Sequence, residues 1–217
     1  MKKKSIKKRN LNFYKVFKNL LDFLFSIFFL IATLPFFIII SILIKLSSRG
    51  PIFFLQERIG KNNIPFKCIK FRTMHPEAKD ILENLLMKDE KLKMEFEQNH
   101  KIKDDPRITT IGKLLRKTSL DELPQFINVI RNEMSIVGPR PIVNKEKKKY
   151  GNNFKKVLSI RPGITGLWQV SGRNNLTYKT RIRLDLNYIE NYNFLMDIRI
   201  LIRTIGVILF PLDRGAY

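Results

Sequence analysis

Cysteine and histidine are scarce in this sequence. It contains one cysteine, Cys68, and two histidines, His75 and His100. A single cysteine excludes an internal disulfide, and no Cys/His cluster has the spacing of zinc ligands. So few histidines also disfavour catalysis by an Asp–His–Ser arrangement. The composition is therefore consistent with a reducing cytoplasmic compartment, and any chemistry must rest on other residue types.

Acidic residues are also scarce, with 19 Asp plus Glu against 41 Lys plus Arg and a formal charge of +22. Such an excess predicts a polyanionic partner, either nucleic acid, an anionic membrane surface or a phosphorylated substrate. Residues 1–18 hold eight cations and no acid, which predicts binding to anionic lipids at about 1 kcal/mol per cation. Nine acids fall within residues 77–105, which we interpret as a solvated surface helix or insertion.

Residues 23–44 form a run of 22 residues without a charge. As one straight helix they would rise about 33 Å, enough to cross a hydrocarbon core of about 30 Å. Pro35 interrupts this helix near its middle, however, and both flanks are basic, which favours placing both ends on the cytoplasmic side. The pattern predicts a helix broken at Pro35 that enters and leaves through one leaflet, with a spanning helix as the alternative.

The rest of the chain alternates between strand and helix patterns. Residues 52–58 and 66–72 are rich in β-forming types on either side of turn residues, and they predict a β-hairpin. Helical spacing of apolar residues then predicts helices over residues 77–100, 121–132, 177–192 and 194–210. A further short basic helix is predicted to include Ile111, Leu114 and Leu115. The helix over 194–210 is apolar enough to predict a position in the membrane interface.

An acidic pair, Asp121 and Glu122, stands at the start of the helix predicted over residues 121–132. Helix capping is one explanation, because Ser119 with Glu122 matches the capping-box pattern. A cap at Asp121 would instead place Pro124 at the third helical position, where an amide is not needed. Either form of capping would give the pair a purely structural role.

The same pair also suits phosphoryl chemistry. A helix N-terminus attracts phosphate, and Arg116, Lys117 and Arg140 supply further positive charge. A carboxylate held against a bound diphosphate can attack phosphorus, and its neighbour can hold Mg²⁺, which prefers carboxylate and phosphate oxygens. The residues alone leave capping and catalysis both open.

Four blocks of the sequence carry a family resemblance. They read SSRGPIFFLQERIGKNNIPFKCIKFRTM, LLRKTSLDELPQFINVIRNEMSIVGPRP, RPGITGLWQVSGRN and LDLNYIENYNFLMDIRILIRT. In these blocks and their order the chain resembles the bacterial sugar transferase family, the monotopic phosphoglycosyl transferases that begin glycan assembly on polyprenol phosphate. Family members often have serine before the proline that breaks the membrane helix, where this chain has Leu34 with Thr33 before it.

The resemblance implies transfer of a sugar-1-phosphate from a UDP-sugar to undecaprenyl phosphate, with release of UMP. It implies that Asp121 is the nucleophile, forming a covalent phosphosugar intermediate, and that Glu122 is a Mg²⁺ ligand or an adjacent acid–base group. It further implies that Arg116, Arg140, Arg173 and Asp197 bind substrate. To these we add the two cations of the predicted hairpin, Lys70 and Arg72. The glycine-rich loop 161–174 becomes the nucleotide-side loop, in which we expect Trp168 to pack in the core.

The implied fold is α/β. A mostly helical, cytosol-facing catalytic unit with a small β-hairpin, residues 47–217, is set on a basic N-terminus and a Pro35-broken re-entrant helix, residues 1–46, with amphipathic interfacial helices. This places the protein at the cytoplasmic face of the bacterial plasma membrane. No nucleic acid partner is expected, and the sequence identifies no obligate protein partner. Two alternatives stay open: direct attack by the lipid phosphate without a covalent intermediate, and a non-catalytic basic module that binds polyanions.

Overall fold

The protein is described by a computed structural model that covers residues 2–99, 102, 104–172 and 175–210, with the backbone alone for residues 2–13, 95 and 97–99. It is a mixed α/β protein that is mostly helical, as predicted. Its α-helices are α1 (Lys2–Ala32), α2 (Leu34–Ser47), α3 (Ala78–Lys88), α4 (Glu90–Asn99), α5 (Thr110–Thr118), α6 (Gln125–Ile130), α7 (Lys147–Tyr150), α8 (Phe154–Val157), α9 (Tyr178–Asn191) and α10 (Phe194–Leu209). Its strands are β1 (Phe53–Ile59), β2 (Pro65–Phe71), β3 (Ser135–Val137) and β4 (Gly163–Thr165).

Strands β1 and β2 pair in a two-stranded sheet and confirm the predicted hairpin. Their short connection requires an antiparallel pair, because a parallel pair needs a crossover of a dozen or more residues. A 3₁₀ turn over Lys61–Asn63 makes the connection. Asn62 and Asn63 have φ of 56° and 65° there, and asparagine tolerates this left-handed region better than most residues.

The chain divides into two compact units. The first comprises the described residues of 1–34, 55–69 and 124–216. In it β3 and β4 pair in parallel, and their approach requires glycine, since a Cβ on Gly163 would lie 2.1 Å from the Gly138 nitrogen. Its main apolar core is built from buried side chains of the hairpin, of α7 to α9 and of the segments between them: Ile59, Ile142, Tyr150, Phe154, Val157, Leu158 and Ile182.

The second unit comprises residues 35–54 and 70–123. Its core joins α2, the end of β2 and α5 through the buried side chains of Ile40, Ile44, Phe71 and Leu115. Thr109 begins α5 by accepting a hydrogen bond from the Gly112 amide at 2.9 Å. Helix α5 runs very close to the chain after β2, because a Cβ on Gly112 would lie 2.0 Å from the Thr73 carbonyl oxygen.

The apolar N-terminal segment is broken, as predicted. No single described helix is both long and apolar enough to cross a membrane, whereas α1 from Tyr14 and α2 meet those criteria together, with a bend of 62° at the break. The break falls at Thr33, whose hydroxyl donates to the Phe29 carbonyl at 2.6 Å. The Thr33 amide donates to the same carbonyl. Pro35 has no amide hydrogen to donate to the Ile31 carbonyl four residues earlier, and the Thr33 hydroxyl does not replace that bond because it donates to Phe29.

Most predicted helices are confirmed, with three corrections. The charged segment 77–100 is two helices, α3 and α4, separated at Asp89. The helix predicted over residues 121–132 is shorter, because a 3₁₀ turn precedes it and α6 spans only Gln125–Ile130. Its capping is also different from both predicted forms. The proposed domain boundary between residues 46 and 47 stays a prediction.

Candidate active site

Asp121 and Glu122 lie in a 3₁₀ turn, Leu120–Glu122, that joins α5 to α6. Ser119 ends α5 in the left-handed region, with φ of 58°, and its side chain makes no capping hydrogen bond in the described structure. Helix α6 begins after Pro124, again without a side-chain cap. The capping interpretation is therefore wrong, and the two carboxylates remain half-buried in a turn.

The second unit brings two cations to this pair. Lys70, near the end of β2, places its Nζ 2.6 Å from Oε1 of Glu122. Arg116, in the last turn of α5, donates from Nε to the hydroxyl of Thr73 at 2.9 Å. The result is a cluster of two cations and two carboxylates: Lys70, Arg116, Asp121 and Glu122. Both cations are among the residues that the sequence predicted to bind substrate. Thr73, which orients Arg116, was not predicted, and only its place beside the hairpin cations hinted at it.

The Asp121 carboxyl has an altered acidity. The pKa of Asp121 is raised to about 6, because burial and the negative charge of Glu122 raise it by more than Lys70 and Arg116 lower it. Burial also lowers the pKa of the Arg116 guanidinium, yet an arginine remains charged at neutral pH. At neutral pH most Asp121 side chains are therefore ionised, and the carboxylate is more basic than that of an exposed aspartate. Such a group is suited to attack an electrophile.

Arg72 makes a different kind of contact. Its guanidinium is buried and donates to the carbonyls of Ser48 and Arg49 at 2.7 and 2.8 Å, just beyond the end of α2. A third carbonyl, that of Ile44, lies 3.4 Å away. These bonds stabilise the carboxyl end of α2, and substrate binding by Arg72 stays a prediction.

The other predicted substrate-binding residues belong to the first unit. The Arg140 guanidinium lies 5.6 Å from the centre of the Trp168 ring, and Trp168 is buried, as predicted. Asp197 accepts hydrogen bonds from Tyr14 and Lys18, both at 2.6 Å, and from Tyr188 at 2.7 Å. Asp197 therefore has a cationic partner in Lys18. Arg173 lies outside the described residues, and the substrate contacts of Arg140, Arg173 and Asp197 stay predictions.

Two buried carboxyl groups of the first unit are not among the predicted site residues. Asp22 accepts a hydrogen bond from Ser135 at 2.6 Å and lies 3.4 Å from Arg161. Asp185 has no hydrogen-bond partner for either carboxyl oxygen in the described part of the chain, and burial raises its pKa to about 8. The signal for Asp22 was its position four residues after Lys18 in a segment otherwise without acids.

The carboxylate pair fits a magnesium ion that substrate phosphates help to hold. Within the residues described, no group of three or more His, Cys, Asp or Glu side chains is arranged to hold a metal. Mg²⁺ is commonly held by one or two carboxylates together with substrate phosphates and water. Glu122 is the residue that could supply such a carboxylate, next to Asp121.

Comparison with known proteins gives a consistent result. Residues 13–211 match the sequence model of the family described as bacterial sugar transferase. The exopolysaccharide production protein ExoY of Sinorhizobium fredii is 44% identical over 200 residues, 92% of this chain and 88% of that protein.

Two longer relatives carry more explicit names. The undecaprenyl-phosphate galactose phosphotransferase of Salmonella typhimurium is 42% identical over 193 residues, which are 88% of this chain and 40% of that protein. The UDP-glucose:undecaprenyl-phosphate glucose-1-phosphate transferase of Klebsiella pneumoniae is 37% identical over 198 residues, 88% of this chain and 39% of that protein. With its match to the family running through nearly its whole length, the chain belongs to the bacterial sugar transferases and is a transferase.

Proposed function

We propose that the protein transfers a sugar-1-phosphate from a UDP-sugar to undecaprenyl phosphate and releases UMP, in the first membrane step of surface glycan assembly. The names of its relatives supply the substrate classes. The observation that carries the chemical proposal is the half-buried Asp121, whose pKa is raised to about 6 beside two cations. Because the chain belongs to a family of transferases, the alternative of a non-catalytic basic module that binds polyanions is not pursued.

In the first step an oxygen of Asp121 attacks the phosphorus that carries the sugar. A new bond forms between that phosphorus and the carboxylate, and the bond to the bridging oxygen of the diphosphate breaks, so that UMP leaves with the bonding pair. Arg116 and Lys70 supply positive charge where negative charge accumulates on the phosphoryl oxygens. Because the nucleophile must be ionised, Lys70 and Arg116 also favour the reactive form of Asp121.

In the second step a phosphate oxygen of undecaprenyl phosphate attacks the same phosphorus. The bond to Asp121 breaks, the carboxylate is regenerated, and undecaprenyl-diphosphate-sugar forms. Glu122 is the residue that would hold Mg²⁺, and a bound ion would neutralise charge on the diphosphate. No proton has to be moved in either step.

We further propose that the protein works at the cytoplasmic face of the plasma membrane, on a re-entrant α1–α2 segment. Within α2, most large apolar side chains are exposed to solvent, including Leu34, Phe36, Ile38, Ile39, Ile42 and Leu46. Helix α10 likewise exposes an apolar face that includes Leu195, Ile202, Ile205 and Leu209. Contiguous exposed apolar faces of this kind are typically covered by a partner or by lipid. A lipid acceptor can be reached only at a membrane, which favours lipid here.

Replacing Asp121 by asparagine tests the nucleophile. Asp121→Asn should lower UMP release from a UDP-sugar, in vesicles containing undecaprenyl phosphate, by about a thousandfold or more. The variant should still fold, because the substitution removes an ionised carboxylate that burial disfavours, and its melting temperature should not fall. Turnover within a few-fold of wild type would remove Asp121 as the nucleophile.

A trapping experiment separates covalent catalysis from direct attack by the lipid. With UDP-sugar and Mg²⁺ but no acceptor lipid, intact-protein mass spectrometry should detect a sugar-phosphate adduct on the wild-type chain and none on Asp121→Asn. UMP should appear in an amount equal to the adduct. If rapid quenching in the presence of acceptor finds product but never an adduct, the lipid phosphate attacks directly.

A further inference from the structure

A second cationic site lies in the first unit and includes none of the residues around Asp121. It is a cavity of about 350 Å³ between α1, the hairpin turn and the segments that precede β3 and β4. Its cationic lining consists of Lys15 and Lys18 from α1, Lys61 from the turn, and Arg161. Phe66, Val137 and Tyr192 form buried apolar parts of the wall.

Two of the four cations are already neutralised by buried carboxylates. Lys18 Nζ lies 2.6 Å from Asp197 and 3.8 Å from Asp22. Arg161 lies 3.4 Å from Asp22 and also donates to Asn132 and Asn19. These contacts link the side chains on this part of the cavity wall. The carboxylates of Asp197 and Asp22 balance the positive charges of Lys18 and Arg161.

The remaining two cations have no such compensation. The ammonium groups of Lys15 and Lys61 form no ion pair within the described part of the chain. The pKa of Lys61 is lowered, first by burial and then by the positive charges of Lys15 and Arg161. Glu133, the one acid in the lining, accepts a hydrogen bond from the Asn128 amide at 2.6 Å and, among the described residues, forms no ion pair with either lysine. The cavity therefore keeps positive charges close together at a cost that an anion would remove.

The backbone holds Lys61 in this position. The turn that carries it has two consecutive residues, Asn62 and Asn63, in the left-handed region. The Asn62 amide donates to the Leu158 carbonyl, and the Gly60 amide donates to the Ile64 carbonyl, both at 2.8 Å. Lys61 thus projects from a turn tied to the core, so little ordering is needed when a ligand binds.

We propose that this cavity is a binding site for a phosphate group, either in the head group of an anionic lipid or as free phosphate. The ammonium groups of Lys15 and Lys61 supply several donors to a tetrahedral anion. Val16, Phe17 and Leu20 are exposed on α1, the helix that also carries Lys15. A chain attached to the phosphate would find apolar surface there. The site is separate from the proposed transfer reaction and does not depend on it.

Lysine acetylation can locate the ligand. The full chain is placed in phosphatidylcholine nanodiscs in phosphate-free buffer, and acetylation rates are measured by peptide mass spectrometry. One arm adds inorganic phosphate, and the other includes phosphatidylglycerol in the disc. We expect Lys15 and Lys61 to be protected in at least one arm, while the exposed Lys145 and Lys148 keep their rates. Protection by phosphatidylglycerol alone identifies a lipid head group, and protection by inorganic phosphate identifies a free anion.

Charge-matched variants decide whether the cavity is responsible. Lys61→Gln should weaken the ligand's protection of Lys15 about fivefold, the effect of one cation near a phosphate, whereas Lys148→Gln should leave it unchanged. Lys18 and Arg161 are left intact because they bond to buried carboxylates. Unchanged reactivity of Lys15 and Lys61 in both arms, or protection that covers Lys145 and Lys148 equally, overturns the proposal. An equal loss of Lys15 protection in Lys61→Gln and Lys148→Gln also overturns it.

Discussion

Opposing influences set the acidity of the Asp121 side chain. Burial and Glu122 raise its pKa, and Lys70 and Arg116 lower it, with the result at about 6. A carboxylate nucleophile acts only when it is ionised, so its activity should fall as the pH falls through that value. Lys70 is the largest of the influences that favour ionisation, which makes it the residue whose removal should be most informative.

Removing the charge of Lys70 should move the acidic limb of the pH–rate profile. In Lys70→Gln the pKa of Asp121 rises, so the rate of UMP release should begin to fall at a higher pH than in wild type. Initial rates from about pH 5 to 8 give the midpoint of the limb. Lys67→Gln, an exposed lysine on the same strand, should leave the midpoint unchanged. A midpoint that stays in place or moves lower in Lys70→Gln would contradict the role given to Lys70.

At the scale of elements, the end of α2 depends on a residue distant in sequence. Helix α2 ends at Ser47, and the carbonyls of Ser48 and Arg49 are satisfied by Arg72 after β2. The sequence identified Arg72 only as a cation on a hairpin, where an exposed edge-strand position is usual. Its burial beside these carbonyls makes it a stabilising contact of the second unit.

Replacing Arg72 by methionine should destabilise the protein. The substitution keeps an apolar stem but removes charged hydrogen bonds worth about 1.5 to 3 kcal/mol each. We expect a melting temperature lower by at least about 5 °C in scanning calorimetry, at about 2 to 4 °C per kcal/mol for a chain of this size. Lys67→Met should change it little. If Arg72→Met instead melts like wild type and only the KM for UDP-sugar rises, Arg72 binds substrate as the family resemblance implies.

At the scale of the whole molecule, positive charge and exposed apolar helices occur together. The chain carries a formal charge of +22, and the described helices α1, α2 and α10 expose large apolar side chains. These features favour an anionic lipid surface, with the cations outside the hydrocarbon and the apolar faces within it. A re-entrant α1–α2 segment would leave both chain ends on the cytoplasmic side.

Cysteine labelling in intact cells tests this topology. Single cysteines are introduced as Ser5→Cys and Asn152→Cys, and the native Cys68 adds little background because it is buried. A membrane-impermeant maleimide should label neither site in intact cells and both after permeabilisation. If only Ser5→Cys is labelled from outside, the segment spans the membrane.

Much of the secondary structure followed from local patterns. The hairpin, α9 and α10 lie within a residue or two of their predicted bounds, and α5 contains the apolar residues predicted for it, because apolar periodicity and turn residues act over short distances. The acidic pair was identified too, but its setting was not. The Ser119–Glu122 pattern indicated a capped helix, whereas Ser119 adopts φ of 58° and ends α5 instead. The local pattern does not predict that the preceding helix ends at the same serine, because that depends on how α5 packs.

By itself, the sequence determined the positions of most elements, the break in the apolar segment and the family, since each depends on residues close together along the chain. Tertiary structure alone decided the burial of Asp121, the carbonyl contacts of Arg72, and the pairing of Asp197 with the Lys18 ammonium and the Tyr14 hydroxyl. Asp197 and Tyr14 are 183 positions apart. Which cation meets which carboxylate depends on how distant segments pack, and burial then sets the strength of their interaction and the pKa of each group.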